Sequence, residues 1–343
     1  MWQYLVLTLI IFACLYLIPS SNTFFYDNVS NEIRKIHTKN VIKLGGIVYA
    51  ITAILLFEIK SSIIDYIVIT SILILLIGLI ADIKKNFSAI GRLMITSLIL
   101  IVLLNKIDFS ISQIDIKILD TYLEEFIIFS YIFTILCILF CLNGTNLIDG
   151  QHGLALGSVA IILFNLKVPI INDLEYLYFI DIIFLITLVF FCFNFFFANI
   201  RLGDTGSYYL GFTIAAIALY ANKFAYIEPF HIACILFYPA CEAIFSYLRR
   251  IIYCNNPFKP DDMHLHSLIF KILNQQKNNN RNFFEINNRL TSVIIILSQI
   301  IIWIFIYKFN DSFSYKSFFF IFCLIYFISY IFLFYFHKRE RKS

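Results

Sequence analysis

Polar side chains that could do chemistry interrupt the hydrophobic sequence at "NGTNLIDGQHG", residues 143–153. Asn143, Asn146 and Asp149 are spaced by three, so on a helix they fall within about 120° of arc and share one polar face. Gly150 would allow a bend or a close backbone approach beside them. A helix cap in a solvated turn is the alternative, but a cap needs one such residue and not three. The spacing therefore favours a polar ligand site.

A second polar segment, "LGDTGS" at residues 202–207, places Asp204 between Gly203 and Thr205–Gly206–Ser207. Small neighbours let a bulky ligand approach the carboxylate, and the start of the following helix favours an anion. One carboxylate together with phosphate oxygens is a usual way of holding Mg²⁺. The segment indicates a metal–phosphate site, with a simple N-cap as the alternative.

Asp82 ends an apolar run and is followed by Lys84, Lys85 and Arg92. An acid surrounded by cations at a membrane end suits the handling of phosphate. Basic residues also gather beside membrane spans for reasons of topology alone, so both interpretations of Lys84 and Arg92 stay open.

Three histidines lie in the polar segments, and they are expected to differ in role. His264 and His266 lie two apart in "PDDMHLHS", without further ligands at zinc spacing. Hydrogen bonding to a phosphate or a base is therefore favoured over metal binding. We expect His152 to be solvated.

These polar segments must be positioned by membrane helices. The chain has 343 residues, of which 61% are hydrophobic and 14% charged, against about 45–50% and 25% in soluble domains. Repeated apolar runs near the length that crosses a bilayer predict an all-α polytopic integral membrane protein. Hydropathy predicts eleven spans: 2–19, 44–60, 63–81, 93–105, 126–142, 154–170, 177–197, 207–221, 229–247, 291–307 and 317–336.

The basic residues predict which side each loop faces. Alternate connections and the tail after residue 336 hold 19 of the 26 lysines and arginines, which places them in the cytoplasm. The N-terminus is then outside and the C-terminus inside. We expect a single transmembrane domain over 1–343, with its site built from five cytoplasmic loops: 20–43, 82–92, 143–153, 198–206 and 248–290.

With these motifs the chain resembles the polyprenyl-phosphate N-acetylhexosamine-1-phosphate transferases, glycosyltransferase family 4. The family's N-x-x-N-x-x-D-G-x-x-G-L-A element is similar to "NGTNLIDGQHGLA". Asn194 followed ten residues later by Asp204, the histidine pair in "HLHS", and "RKIHTKNVIKLGG" resemble three further family motifs. The resemblance spans about residues 30–270.

The resemblance implies a reaction at the bacterial inner membrane. A UDP-linked amino sugar would give its sugar 1-phosphate to undecaprenyl phosphate and release UMP, which would initiate an O-antigen or capsule-type surface polysaccharide. Mg²⁺, with Mn²⁺ as the alternative, would be the cofactor, and membrane lipid surrounds the protein. No nucleic-acid partner is expected. The amino sugar and a homodimer are left open.

The resemblance also implies the residue roles. Asp82 and Asp149 would be catalytic, and Asp204 with Asp82 would bind metal. The remaining matched residues would bind substrate: Asn143, Asn146, Lys85, Arg92, Asn194, Gly203, His264 and His266.

The chain departs from the family pattern at Ala81, where an acid usually precedes Asp82. Ala81 is tolerable if Asp82 positions the lipid phosphate or the metal, so Asp82 and Asp149 are expected to act as acceptor-positioning or base residues. The departure also keeps an inactive relative as one alternative. A transporter or lipid flippase is the other alternative. It would place ionisable residues at mid-span depth, whereas the polar groups here lie on one predicted face.

Overall fold

The computed structural model describes residues 2–16, 26–27, 41–43, 45–56, 61–84, 86–225, 227–254, 262–274 and 281–340. Lys85, the segment 28–40 and Asp261 lie outside these ranges. The described part is dominated by fourteen α-helices, with one 3-10 helix, Val168–Ile170, and one antiparallel pair of short strands, β1 (Tyr26–Asp27) and β2 (Val41–Ile42).

The first seven helices are α1 (Trp2–Tyr16), α2 (Ile47–Leu56), α3 (Ser62–Ile83), α4 (Ala89–Lys106), α5 (Lys117–Glu125), α6 (Ile127–Ile148) and α7 (Leu154–Lys167). The other seven are α8 (Leu174–Phe197), α9 (Gly203–Phe224), α10 (Pro229–Ile235), α11 (Phe237–Cys254), α12 (Leu265–Leu273), α13 (Arg281–Phe309) and α14 (Tyr315–Glu340). Each of the eleven predicted spans overlaps one of these helices or, for 229–247, the pair α10–α11.

Six of the described helices, α3, α4, α6, α8, α13 and α14, are long and apolar enough to cross a membrane, and a seventh crossing is added if the α10–α11 pair counts as one span. Large apolar side chains cover their outer faces, for example Leu324, Ile328 and Phe332 on α14, as expected for surfaces in contact with lipid. The fold is therefore an all-α, multi-pass membrane architecture. Eleven crossings and the outward N-terminus stay predictions.

The ninth predicted span is bent. Between α10 and α11 the chain turns by 82° at Leu236. Beyond the bend, α11 is two-sided: Glu242, Ser246 and Arg249 recur at helical spacing and are buried, while Ile244 and Leu248 are exposed. Hydropathy averages over a window, so it detects the apolar content of this region and not the bend.

Helix α9 is the centre of the packing. It contacts α3 and α6 along much of its length, and also α2 and α7, and all residues from Thr205 to Ala218 are buried. Small residues make this possible. A Cβ on Gly211 would lie 2.6 Å from Leu142 Cα, and one on Gly78 of α3 would lie 2.4 Å from Asp204 O, so the helices approach backbone to backbone.

The polar end of α6 is helical, whereas the sequence predicts a loop over 143–153. Side chains explain the difference, because Asn143 Nδ2 donates to Leu139 O and Thr145 Oγ1 donates to Cys141 O within the same helix. These bonds satisfy the polar groups without ending the helix. The other predicted loops also shorten: α4 begins at Ala89, α9 at Gly203, and α11–α13 occupy much of 248–290.

Gly144 sits where α6 crosses α11, and a Cβ there would lie 1.9 Å from Pro239 O. We expect Gly144→Ala to lower the free energy of unfolding by roughly 1–3 kcal/mol because the helices must separate. Thermal unfolding in detergent measures this. Gly91→Ala is the control: its Cβ would meet side-chain atoms and no backbone, with Ser88 Oγ at 3.0 Å and the Phe87 ring at 3.5 Å, and alanine favours the helix. Equal stability of both variants would contradict the crossing.

Candidate active site

The N-terminus of α9 is capped by a carboxylate from another helix. Asp82, in the last turn of α3, accepts hydrogen bonds from Asp204 N (3.1 Å), Thr205 N (2.9 Å) and Thr205 Oγ1 (2.5 Å). The first N–H groups of a helix have no partner within it, and their partial positive charge favours an anion. Both Asp82 oxygens are therefore engaged in holding α9 in place.

A second carboxylate completes this cap. Asp149 directly follows α6, and its Oδ2 accepts a hydrogen bond from Gly203 N at 3.2 Å. Gly203 has φ +71, and a Cβ on it would lie 2.2 Å from Lys43 O, so glycine is required here. Arg201 Nη2 donates to Asp149 O (3.0 Å) and lies 3.9 Å from Asp149 Oδ2.

Asp204 is held by side chains from two further helices. Arg92 Nη1 of α4 donates to Oδ2 at 2.7 Å, and Asn146 Nδ2 of α6 donates to Oδ1 at 2.7 Å. Asn146 Nδ2 also lies 2.9 Å from Ser207 Oγ. Asp82, Asp149 and Asp204, named the carboxylate cluster below, thus bring together α3, α4, α6 and α9.

The stretch before α2 closes one side of the cluster. Backbone hydrogen bonds join residues 42, 45 and 46 to residues 199, 201 and 202, including Gly45 N to Arg201 O (3.0 Å) and Gly46 N to Leu202 O (3.1 Å). Lys43 Nζ donates to Asp82 O at 2.8 Å. Part of the predicted first-loop motif therefore lies beside the carboxylate cluster.

Asn194 braces the loops around the cluster. Its Oδ1 accepts from Gly153 N at 2.5 Å, and its Nδ2 donates to Ile200 O at 2.6 Å. The side chain is buried, and both of its polar atoms are used by backbone. This bond pair ties the turn after α6 to the loop before α9, while substrate contact by Asn194 stays a prediction.

The histidine pair lies against the same turn. The His264 and His266 rings stack with centroids 5.4 Å apart and planes within 2°. A Cβ on Gly150 would lie 3.1 Å from His266 Nε2, so the pair borders the residue that follows Asp149. The structure therefore joins loops that are more than 100 residues apart in the sequence.

Burial sets the charge states at the turn. Burial raises the pKa of Asp149 to about 7, and the nearby Arg201 opposes this rise only in part. Burial lowers the pKa of His266 to about 4, against the opposing effect of Glu242. Asp149 can therefore exchange a proton near neutral pH, whereas His266 is neutral there and can supply a hydrogen bond but no positive charge.

The donor set around Asp204 fits Mg²⁺ or Mn²⁺ held jointly with a ligand. The described residues contain no group of three or more His, Cys, Asp and Glu side chains arranged for a metal. Mg²⁺ needs no such cage, since it uses one or two carboxylates with substrate phosphates and water. The Asp204 side chain is 29% exposed against 11% for Asp149, so Asp204 is the more accessible oxygen donor of the two.

Some predicted residues lie elsewhere or behave differently. Asn143 donates to its own helix and has no described contact with the carboxylate cluster. The expectation that His152 is solvated is wrong: it is 5% exposed, its N–H donates to Asn288 Oδ1 at 2.7 Å, and burial lowers its pKa to about 4. The side chain is buried because α13 packs against α7 beside the turn.

Sequence reasoning missed Lys43, Arg201 and Glu242 as contributors. Arg201 precedes Asp204 by three residues in a motif already singled out, which was an available signal. Glu242 gave a stronger one, because it is a lone carboxylate inside a predicted membrane span, and such residues are functional candidates by default.

Known proteins resemble this chain over the region that carries the carboxylate cluster. Residues 64–222 match glycosyl transferase family 4. The chain is 28% identical over 321 residues to the "Probable undecaprenyl-phosphate N-acetylglucosaminyl 1-phosphate transferase" of Bacillus subtilis (strain 168), covering 89% of this chain and 83% of that protein. It is 25% identical over 253 residues to the "Undecaprenyl-phosphate alpha-N-acetylglucosaminyl 1-phosphate transferase" of Thermotoga maritima, covering 72% and 74%. A Mycobacterium leprae "Decaprenyl-phosphate N-acetylglucosaminephosphotransferase" is 29% identical over 153 residues, 38% of each chain.

The brace role of Asn194 predicts a local effect on the two loops. In Asn194→Ala, Gly153 N and Ile200 O lose their buried partner, at roughly 1–3 kcal/mol per unpaired group. We expect faster amide hydrogen exchange in peptides covering 149–157 and 195–204. Asn105→Ala is the matched control, because that exposed amide bonds only its own helix. Unchanged exchange in Asn194→Ala would refute the brace.

Proposed function

Because residues 64–222 match glycosyl transferase family 4 and the chain is similar to transferases over most of its length, we propose that it transfers an N-acetylated amino-sugar 1-phosphate from a UDP-sugar to undecaprenyl phosphate. The products are undecaprenyl-diphosphate-sugar and UMP. The names of the relatives make UDP-N-acetylglucosamine the first donor to test. The observation that carries the proposal is the carboxylate cluster, built from four helices around the start of α9.

The reaction forms one P–O bond and breaks another. An oxygen of the lipid phosphate attacks the sugar-side phosphorus of the donor, and the bond from that phosphorus to the bridging oxygen breaks so that UMP leaves. Phosphoryl transfer needs mainly positioning and charge stabilisation. Asp204 is oriented for this by Arg92 and Asn146, while Asp82 and Asp149 hold the backbone that carries it.

A divalent cation, when bound, would neutralise charge on the diphosphate and on the leaving UMP, and Asp204 is the residue we assign to it. Arg92 lies against the same carboxylate and supplies a fixed positive charge for the phosphates. A phosphate monoester has a second pKa of about 6, so the acceptor is mostly the dianion at pH 7. A general base is therefore dispensable, which accommodates Ala81.

An apolar cavity supports a lipid acceptor. It has a volume of about 980 Å³ and lies between α6, α9, the α10–α11 pair and α14, at the upper end of the ~300–1,000 Å³ typical of ligand pockets. Its described lining is apolar apart from Gln113, Asn222 and Tyr326. Along α6 the lining reaches Phe140 and Cys141, within two turns of Asn146. We place part of the polyprenyl chain there, with its phosphate at the carboxylate cluster.

The topology supports a site at the cytoplasmic face of the bacterial inner membrane, where nucleotide sugars are made available to lipid-bound acceptors. In this scheme the product would initiate a surface polysaccharide of the O-antigen or capsule type. The proposal of a cytoplasmic face rests on the basic residues of the loops that carry the cluster.

The test is UMP release by membranes that contain the protein. With Mg²⁺, undecaprenyl phosphate and UDP-N-acetylglucosamine, or UDP-linked GalNAc, QuiNAc or FucNAc, we expect UMP from at least one donor. Asp204→Asn should lower the rate by roughly 10²–10³-fold, as loss of a preorganised charge at a reacting group does.

Asp311→Asn is the matched control, because Asp311 is an exposed aspartate in the turn after α13, far along the chain from the cluster. Its rate should equal that of the wild type. No UMP from any donor, or equal rates for the Asp204 and Asp311 variants, would overturn the proposed function.

A further inference from the structure

Glu242 is a buried carboxylate that the proposed reaction does not use. It lies on α11, six residues after the bend at Leu236, with none of its surface exposed to solvent. A fully buried carboxylate is rare unless it is paired, because removing its charge from water costs several kcal/mol. Its partners therefore indicate what it does.

Two described hydrogen-bond contacts of Glu242 are made with the histidine segment, residues 263–266. Its Oε2 lies 3.2 Å from His264 Nδ1, and its Oε1 accepts a hydrogen bond from Leu265 N at 3.0 Å. The carboxylate thus holds both the side chain of His264 and the first turn of α12.

Neighbours on the same face of α11 hold the backbone beside His264. Arg249 Nη1 donates to Met263 O at 2.6 Å, and Arg249 Nη2 donates to Ser246 Oγ at 3.0 Å. Tyr330 Oη of α14 also donates to Met263 O, at 3.1 Å. These bonds leave residues 263–265 little freedom, so the direction of the His264 ring is set by α11.

The pairing with Glu242 determines which ring nitrogen of His264 is left to contact a ligand. An ionised carboxylate only accepts hydrogen bonds, so His264 Nδ1 carries a proton and Nε2 is the nitrogen on the opposite edge of the ring. When Nε2 donates to an anionic oxygen, both nitrogens are protonated, and the adjacent carboxylate balances the positive charge of the ring.

The histidine pair connects Glu242 to the turn that follows Asp149 in the carboxylate cluster. His264 stacks on His266, and His266 borders Gly150, the residue after Asp149. We propose that Glu242 is a positioning residue, which keeps His264 Nδ1 protonated and its ring aimed so that Nε2–H donates to the diphosphate of the donor. This inference rests on the proposed function, because it takes that diphosphate as the partner of His264.

The kinetic test is a double-mutant cycle on UMP release. Glu242→Gln keeps the side-chain volume and an oxygen for Leu265 N, but removes the charge and turns an amide N–H₂ towards His264. We expect kcat to fall roughly 10–100-fold, as for loss of a partner that orients a reacting histidine. In a His264→Ala background the same substitution should change kcat less than twofold.

Glu124→Gln is the matched control. Glu124 is an exposed carboxylate on α5 that accepts a hydrogen bond from Gln113, and its variant should keep the wild-type kcat. Thermal midpoints of all variants are measured in parallel. Wild-type kcat in Glu242→Gln, or an equal fold loss with and without His264, would overturn the positioning role, since a merely structural carboxylate would act in both backgrounds.

A spectroscopic readout separates this inference from the proposed function. The chain has six histidines, so ¹⁵N-histidine NMR can assign His264 by its loss in His264→Ala. We expect a protonated Nδ1 in the wild type and a shift towards the Nε2–H form in Glu242→Gln. An unprotonated Nδ1 in the wild type overturns the inference, whereas a protonated Nδ1 in a protein that releases no UMP overturns the proposed function and leaves the Glu242–His264 pairing intact.

Discussion

The site depends on capping of one helix by carboxylates from two others. The first N–H groups of α9 donate to Asp82 of α3 and to Asp149 beyond α6. Because these groups are inside the protein, leaving them unpaired would cost about as much as a lost buried hydrogen bond each. Three helix ends are therefore held at fixed distances, and Asp204 is carried by the turn that they fix.

This constraint gives residues proposed as catalytic a structural role as well. Asp82 uses both oxygens on backbone and side-chain donors of α9, so its substitution would disturb the position of Asp204 as well as any contact with substrate. Positions without room for a Cβ surround the same point: Gly46 faces Gly206, and Gly78 faces Asp204. Close backbone packing and the polar cluster are thus parts of one arrangement.

Helix α11 adds the histidine pair to this arrangement from the other side. The bend at Leu236 lets α11 present Glu242 and Arg249 to residues 263–265, while its opposite face borders the apolar cavity. A soluble nucleotide and a membrane lipid would then meet between the polar residues of the carboxylate cluster and histidine pair on one side and the apolar cavity on the other. Catalysis of phosphoryl transfer depends mainly on positioning and on preorganised charge of this kind, which stabilises the transition state.

Sequence reasoning found the helices and most of the cluster for identifiable physical reasons. Each of the eleven spans predicted from hydropathy overlaps a described helix or the α10–α11 pair. The polar motifs singled out the three aspartates of the carboxylate cluster and Asn146, which contacts Asp204. Substrate contact by Asn143 stays a prediction, since its side chain bonds its own helix. Sequence reasoning was wrong for His152 and missed Glu242, because their environments are set by α13 and by the His264 segment, more than 20 residues away in each case.

The central claim is that the donor diphosphate is cleaved between its two phosphorus atoms, with the sugar phosphate retained by the lipid. Two UDP-N-acetylhexosamine samples, one labelled with ³²P at the phosphorus next to uridine and one at the sugar-side phosphorus, test this directly. After incubation with undecaprenyl phosphate and membranes that contain the protein, the account predicts water-soluble UMP from the first label and organic-phase lipid from the second. Both labels in water as UDP, with the sugar alone on the lipid, would contradict it.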